Sequence, residues 1–222
     1  MALSEAQVAE LLGILTAPVT DFDCGTLCAP SHGGIPVCCH GETIQPVLYR
    51  AEFALLRRRS TMWSRHRGQG VNDAAELRPC EMFADCKGHT RCEREHRALS
   101  CRTFPFEPYL DHDDRLAGLV FVYDLMQLCP LIGSGHRIRD DFIEQCGRMF
   151  ARLFEFDPDE RELWAMQSRA LRRSFGRAGA KIAVYRKDGV FPYPTSRESW
   201  RRARRRGEIP RAPIDDSTPA TR

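Results

Sequence analysis

Cysteine is the residue type in this chain whose number and spacing point most directly to chemistry. Ten of the 222 residues are cysteines, and nine of them lie between residues 24 and 129. Eight of these nine form two blocks, spaced C-x3-C-x9-C-C and C-x5-C-x5-C-x8-C, and Cys129 follows them alone; the first block ends in the adjacent pair Cys38 and Cys39. Thiolates are ligands that zinc and iron–sulfur clusters prefer. This density of thiols predicts that the chain folds around metal.

Disulfide bonds are the alternative explanation for an even number of cysteines. Residues 1–16 contain neither a basic segment nor a small-residue cleavage site, so we expect a cytoplasmic protein without a signal peptide. Cysteines in a reducing compartment serve metal binding or catalysis more often than disulfides. A ring closed between adjacent cysteines would also be strained. These arguments favour metal ligands over disulfides.

The kind of metal stays open at this point. Four thiolates complete one structural zinc site or one cluster, so nine could serve two sites, or one site and a redox pair. The chain contains no C-x2-C spacing, which argues against zinc fingers, zinc ribbons and bacterial ferredoxins. His32 and His40 could complete a mixed site, but with so many cysteines present we favour solvated loop histidines.

Other function classes find little support in the sequence. No G-x-S-x-G, H-E-x-x-H, P-loop or paired-carboxylate motif occurs, so neither a hydrolase nor a nucleotide-dependent enzyme is indicated. The longest apolar stretch, Leu116 to Leu128, contains Asp124 and Gln127, so we expect no membrane span. The net charge of the chain is +3, and its positive charge is concentrated in residues 196–222, which contain eight arginines and four acidic residues. Because the rest of the chain is nearly neutral, a nucleic-acid partner is not indicated.

The hydrophobic pattern predicts several elements. Ser4 and Gln7 form a capping-box pattern that begins a helix through Leu15. Further helices are predicted over 46–56, 139–154 and 157–175, a strand over 116–123, and a hairpin over 181–193 that turns at Lys187 to Gly189. Residues 60–79 are polar and are predicted to be an exposed connection.

These elements predict an α+β fold: a small, irregular, cysteine-rich and metal-stapled domain, mostly helical, with a short hairpin. We expect residues 1–135 to form the metal-binding domain, which needs its metal to fold. Residues 136–195 are predicted to form a helical extension that carries the hairpin. Residues 196–222 are predicted to be a basic, disordered tail that begins, after Pro194, with a short arginine-rich helix or coil and has no fold beyond Gly207.

The cysteine blocks resemble one family. Cys24, Cys28, the glycine pair Gly33-Gly34 and the pair Cys38-Cys39 are followed by a second block that ends in C-R-T-F-P-F from Cys101 to Phe106. This pattern is similar to the YkgJ-type cysteine-cluster proteins, a bacterial family described as zinc- or iron-chelating domains. Cys129-Pro130 begins a segment similar to the family's C-P-G-x-G-x-G element. The resemblance covers residues 21–135, and it departs from the family at Ala98, where the family has proline.

The resemblance implies the site residues. Two further expectations come from the residues themselves: Arg102, next to Cys101, could donate to sulfur or balance the negative charge of a thiolate site, and Cys146, on the apolar stripe of a helix, is expected in the core. A related branch, the flagellin lysine N-methylases, implies an alternative function as an iron–sulfur-dependent methyltransferase, although no glycine-rich S-adenosylmethionine motif follows a strand here. Whether the protein is an enzyme therefore stays open. The implied metal ligands, to zinc or to an iron–sulfur cluster, are Cys24, Cys28, Cys38, Cys39, Cys80, Cys86, Cys92, Cys101 and Cys129.

Overall fold

The computed structural model describes residues 2–40, 44–66, 77–132, 135 and 137–214. These ranges contain seven α-helices, seven β-strands and several single 3-10 turns. In chain order the elements are α1 (Glu5–Ile14), α2 (Gly25–Cys28), β1 (Val47–Tyr49), α3 (Arg50–Arg59), β2 (Trp63–Arg65), β3 (Glu81–Cys86), α4 (Leu99–Thr103), β4 (Phe106–Leu110), β5 (Leu116–Phe121), α5 (Asp140–Phe156), α6 (Pro158–Arg177), β6 (Ile182–Arg186), β7 (Gly189–Tyr193) and α7 (Arg197–Arg206).

The first helix begins as the sequence predicts. The Ser4 hydroxyl accepts the Gln7 backbone N–H at 3.3 Å, and the Gln7 side chain accepts the Ser4 N–H at 2.8 Å, which completes the capping box. Val8, Leu11 and Leu12 form its buried face. The predicted helix is confirmed, and it ends at Ile14.

A small antiparallel sheet orders its strands β1-β3-β2 and corrects two predictions. The expected helix over 46–56 begins only at Arg50, because Val47 to Tyr49 pair with β3 as a strand. The expected exposed connection over 60–79 is wrong at its start, where Met62 and Trp63 are 3% and 1% exposed. Trp63 pairs with Cys86 in β3. Residues 67–76 of that connection lie outside the described residues.

A second antiparallel sheet has the order β4-β5-β6-β7. The predicted strand is β5, and the predicted hairpin is β6–β7 with its turn at Lys187 and Asp188. Position 118 in β5 requires glycine because β6 lies very close to it. A Cβ atom there would lie 2.5 Å from Val184 Cγ1 and 2.7 Å from the Tyr185 carbonyl oxygen. The hairpin therefore packs directly on the backbone of β5.

The main core crosses the predicted domain boundary at residues 135 and 136. Phe142, Cys146 and Met149 of α5 belong to the same buried cluster as Leu11 of α1 and Leu119 of β5. Residues 137–156 therefore help to build the core of the cysteine-containing region rather than an extension of it.

The basic segment after Thr195 forms the helix α7, as the helix-or-coil prediction allowed, but it packs on the rest of the fold, which corrects the prediction of a disordered tail. Ser196 caps α7 by accepting the Ser199 N–H, and Trp200, Ala203 and Ile209 are buried in a second core with Tyr109 and Tyr193 of the larger sheet. The arginines lie on the outer side because the inner side is held by this apolar contact. Residues 215–222 lie outside the described residues.

The α+β class is confirmed by this mixture of helices and two antiparallel sheets. Among the described helices, none combines the length and the apolar character needed to span a bilayer.

Candidate metal centre

Five of the predicted ligands surround one cavity of about 310 Å³. The cavity lies between the smaller sheet and the loop that leads into α4, and Arg97, Asp85 and Lys87 also line it. The cysteines around it come from both sequence blocks: Cys38, Cys39, Cys86, Cys92 and Cys101. The fold thus joins two blocks that are 40 residues apart in the chain.

The adjacent cysteines are presented by a 3-10 turn, Val37–Cys39. The turn is closed by the Cys39 N–H, which donates to the Pro36 carbonyl at 2.8 Å, and it is anchored by the buried side chain of Val37. Proline before the turn fixes φ and favours this entry geometry. The turn lets both sulfurs face the cavity although the residues are consecutive.

Cys86 and Cys92 stand on either side of a chain reversal. Cys86 ends β3, and the 3-10 turn His89–Arg91 leads to Cys92. Gly88 begins this turn at φ +83°, a left-handed conformation that glycine adopts without steric cost. The reversal places both thiols on the same cavity.

Cys101 is placed by a buried carboxylate that the sequence analysis missed. Glu52 of α3 is 1% exposed, and its Oε1 accepts the Leu99 N–H at 2.6 Å, at the first turn of α4. Its Oε2 accepts the Tyr49 N–H at 3.3 Å. One carboxylate thus satisfies N-terminal donors of both α3 and α4 and fixes the helix that carries Cys101.

Cys24, Cys28 and Cys129 form a neighbouring group. Cys28 and Cys129 are buried, and Cys28 Sγ accepts the Val37 N–H at 3.4 Å, directly beside the adjacent pair. Burial raises the pKa of Cys24, and the nearby charges of Cys129, Asp23 and Cys28 raise it further. Eight of the nine predicted ligands therefore belong to one continuous region of the fold.

Burial and mutual repulsion hold most of these thiols in the neutral form. The Cys38 and Cys39 sulfurs lie 3.9 Å apart; the hydrogen bond between them raises the pKa of Cys38 and lowers that of Cys39 to about 7. Burial, followed by the charge of Cys86 and Cys39, raises the pKa of Cys101 to about 12. A bound cation would reverse this preference, because metal ligation deprotonates thiols.

Cys80 and Cys146 lie apart from this region. Cys80 lines a different cavity of about 420 Å³ with Tyr49, Arg78 and Asp159, so the structure does not bring this predicted ligand to the others. Cys146 lies on the inner face of α5, and burial raises its pKa strongly. Its predicted place in the core is confirmed.

The side chain of Arg102 donates to backbone carbonyls, so its predicted donation to sulfur is not observed. Its Nη1 donates to the carbonyls of Leu12 and Leu15 at 3.1 and 2.8 Å, and its Nη2 and Nε donate to those of Glu95 and Arg97. It therefore binds the C-terminal carbonyls of α1 to the loop before α4. His32, a possible mixed ligand, is hydrogen-bonded through Nδ1 to the Cys28 carbonyl at 2.8 Å.

The thiols do not form a preassembled single-ion site. Among the described residues, no three histidine, cysteine or acidic side chains converge as one ion requires. Tetrahedral zinc with bonds of about 2.3 Å holds its sulfurs about 3.8 Å apart, and the adjacent pair Cys38 and Cys39, at 3.9 Å, supplies two of the four sulfurs that such a site needs. The predicted metal staple is therefore not confirmed. The cavity is much larger than the roughly 10–15 Å³ that one water needs, and thiols on its walls fit a polynuclear group better than one ion.

Comparison with known proteins gives no match. Neither a family model, nor a curated protein, nor a solved structure matches this chain. The resemblance to the YkgJ-type family stays a prediction from the cysteine motifs.

Proposed function

We propose that this protein binds an iron–sulfur cluster in the cavity lined by the five cysteines. The observation that supports the proposal is the arrangement of Cys38, Cys39, Cys86, Cys92 and Cys101 around one space that a single ion would not fill. Cysteine thiolates are the usual ligands of such clusters, and four of them complete the coordination.

The electrostatics of the cavity agree with this proposal. Neutral, crowded thiols such as Cys38 and Cys101 repel one another once ionised, so a cationic iron core would be needed to stabilise their charged forms. All ten cysteines lie within the described residues and carry free thiols. Free thiols in this number favour a reducing, cytoplasmic location.

The cysteines have separate roles in this proposal. Four of the five cavity thiols hold the cluster, and Cys24, Cys28 and Cys129 form the adjoining group, which supplies further thiols at its edge. When bound, such a cluster supplies one-electron redox chemistry. The methyltransferase alternative stays a prediction that rests on the family resemblance alone.

Anaerobic purification tests the proposal. We expect a coloured protein with equimolar iron and acid-labile sulfide, and with visible sulfur-to-iron absorption. A colourless protein that contains stoichiometric zinc and no sulfide would contradict the cluster and support a zinc site formed by movement of the same thiols.

A further inference from the structure

Arg97 is a basic residue in direct contact with one of the cavity thiols. Its Nε donates to Cys92 Sγ at 3.0 Å. Lys87 also lines the cavity, but its ammonium group donates to the Thr61 hydroxyl at 2.8 Å. Among the described residues, no carboxylate accepts from the Arg97 side chain. The Cys92 sulfur is thus the acceptor for the Arg97 guanidinium.

The charge of Arg97 acts on thiols in both groups. Burial alone would lower its pKa, but the hydrogen bond to Cys92 and the charges of Cys92, Cys39 and Cys38 raise it. In return, its positive charge opposes the rise in pKa at Cys24 and Cys101. The guanidinium is therefore a fixed positive charge among sulfurs.

The backbone around Arg97 is held on two sides. Trp63 Nε1 donates to the His96 carbonyl at 2.8 Å, and Arg102 Nε donates to the Arg97 carbonyl at 3.0 Å. The first contact joins the loop to the smaller sheet, and the second joins it to α4. These contacts set the direction from which Arg97 reaches Cys92.

We propose that Arg97 is a positioning residue that tunes the bound cluster by donating to the Cys92 sulfur and by offsetting its negative charge. Hydrogen bonds to cluster sulfurs and nearby charge both set the reduction potential. A positive neighbour favours the reduced state, because that state is the more negative one. The inference rests on the proposed function.

Redox titration of the cluster-loaded protein tests the inference, with Arg97→Gln, Arg97→Lys and the control Arg91→Gln. Arg91 is exposed on the turn before Cys92, so its replacement removes the same charge without removing a sulfur contact. We expect Arg97→Gln to bind iron and sulfide like wild type but to show at least a tenfold lower reduced-to-oxidised ratio at a given potential, which is about 59 mV for one electron. Arg97→Lys should show a reduced-to-oxidised ratio between those of wild type and Arg97→Gln. A potential in Arg97→Gln equal to that of Arg91→Gln would overturn the inference, and if Arg97→Gln does not retain the cluster, the same comparison is decided by Arg97→Lys.

Alkylation of Cys92 separates failure of this inference from failure of the proposed function. If the wild-type protein holds no cluster, the proposed function fails. The metal-free proteins are then treated with iodoacetamide at one pH, and mass spectrometry of their peptides measures how fast Cys92 is alkylated. Slower alkylation in Arg97→Gln than in Arg91→Gln supports the contact of Arg97 with the sulfur, because a guanidinium stabilises the reactive anion. Equal rates overturn it.

Discussion

The Glu52 carboxylate accepts the Leu99 backbone N–H at 2.6 Å, which joins the helix α3 to the first turn of α4 only two residues before Cys101. Glu52 is buried, and this burial raises its pKa to about 7, although the N–H bonds from Leu99 and Tyr49 and the charge of Arg102 act in the opposite direction. A side chain without a thiol therefore controls where one of the proposed ligands lies.

Replacing Glu52 by alanine should weaken both the fold and the cluster site. The change leaves two buried N–H donors without an acceptor, and we expect a loss of about 2–4 kcal/mol in the free energy of unfolding. Urea denaturation of the metal-free protein measures this loss, and iron analysis should show a lower content. Glu162→Ala, on the exposed face of α6, is the control and should change neither quantity. An unchanged iron content in Glu52→Ala would contradict the positioning of Cys101.

Serine substitutions should divide the cysteines according to their place in the structure. Cys86→Ser and Cys101→Ser remove cavity thiols and should lower the iron content to a small fraction of wild type. Cys80→Ser and Cys146→Ser should keep wild-type iron, because the first lies at another cavity and the second in the core. Iron loss in Cys80→Ser would restore the ligand assignment that the resemblance implies.

Replacing Arg102 by alanine distinguishes its observed contacts from the predicted role beside the cluster. Its guanidinium satisfies carbonyls at the end of α1 and in the loop before α4, so we expect destabilisation of about 2–4 kcal/mol even in the metal-free protein. Arg102→Lys should recover little of the lost stability, since one ammonium group cannot reproduce the planar set of guanidinium donors. Thermal unfolding of the metal-free proteins measures both effects. Wild-type stability together with a changed cluster potential would instead support the sequence-based role.

Trp200→Ala tests whether the basic helix is part of the folded protein. Trp200 is 2% exposed and packs in the second core, so its truncation should cost about 3–5 kcal/mol of stability. Arg205→Ala, on the exposed face of the same helix, should change stability by no more than about 0.5 kcal/mol. Denaturant unfolding compares the two variants. Equal, negligible effects are the result that a disordered tail would give.

Glu107 should make stability depend on pH. Burial, followed by the charge of Asp124, raises the pKa of this β4 residue to about 7. Its neutral form is therefore favoured in the folded state, so this contribution to stability is full below about pH 4 and is lost as the pH rises through 7. Glu107→Gln, which stays neutral, should be more stable than wild type at pH 8 by up to about 3 kcal/mol. Denaturant unfolding at pH 4 and pH 8 measures the difference, and parallel pH profiles for the two proteins would refute the assignment.

Helices and hairpins were accessible from local sequence patterns. The capping pair Ser4 and Gln7, the apolar face of α5 and the turn between β6 and β7 each depend on residues only a few positions apart. Val47 to Tyr49 and Trp63 were misread, since their strand pairing with β3 depends on a partner far along the chain. The segment after Pro194 was expected as a short arginine-rich helix or coil in a disordered tail, and its packing was missed for the same reason, because Trp200 is buried by the distant sheet.

The sequence by itself determined the residue chemistry: a set of thiols in two blocks, Cys146 on the apolar face of a helix, and an α+β pattern. Only the tertiary structure decided which thiols lie together. Cys80 precedes β3 and Cys86 is its last residue, so the two thiols lie at opposite ends of this strand and line different cavities. The tertiary structure also decided which arginine contacts sulfur: Arg97 donates to the Cys92 sulfur, whereas Arg102, which was expected there, donates to the carbonyls of Leu12 and Leu15. The reason is physical: spacing along the chain fixes the ligands that are possible, whereas strand register, buried caps such as Glu52 and the direction of each side chain fix those that come together.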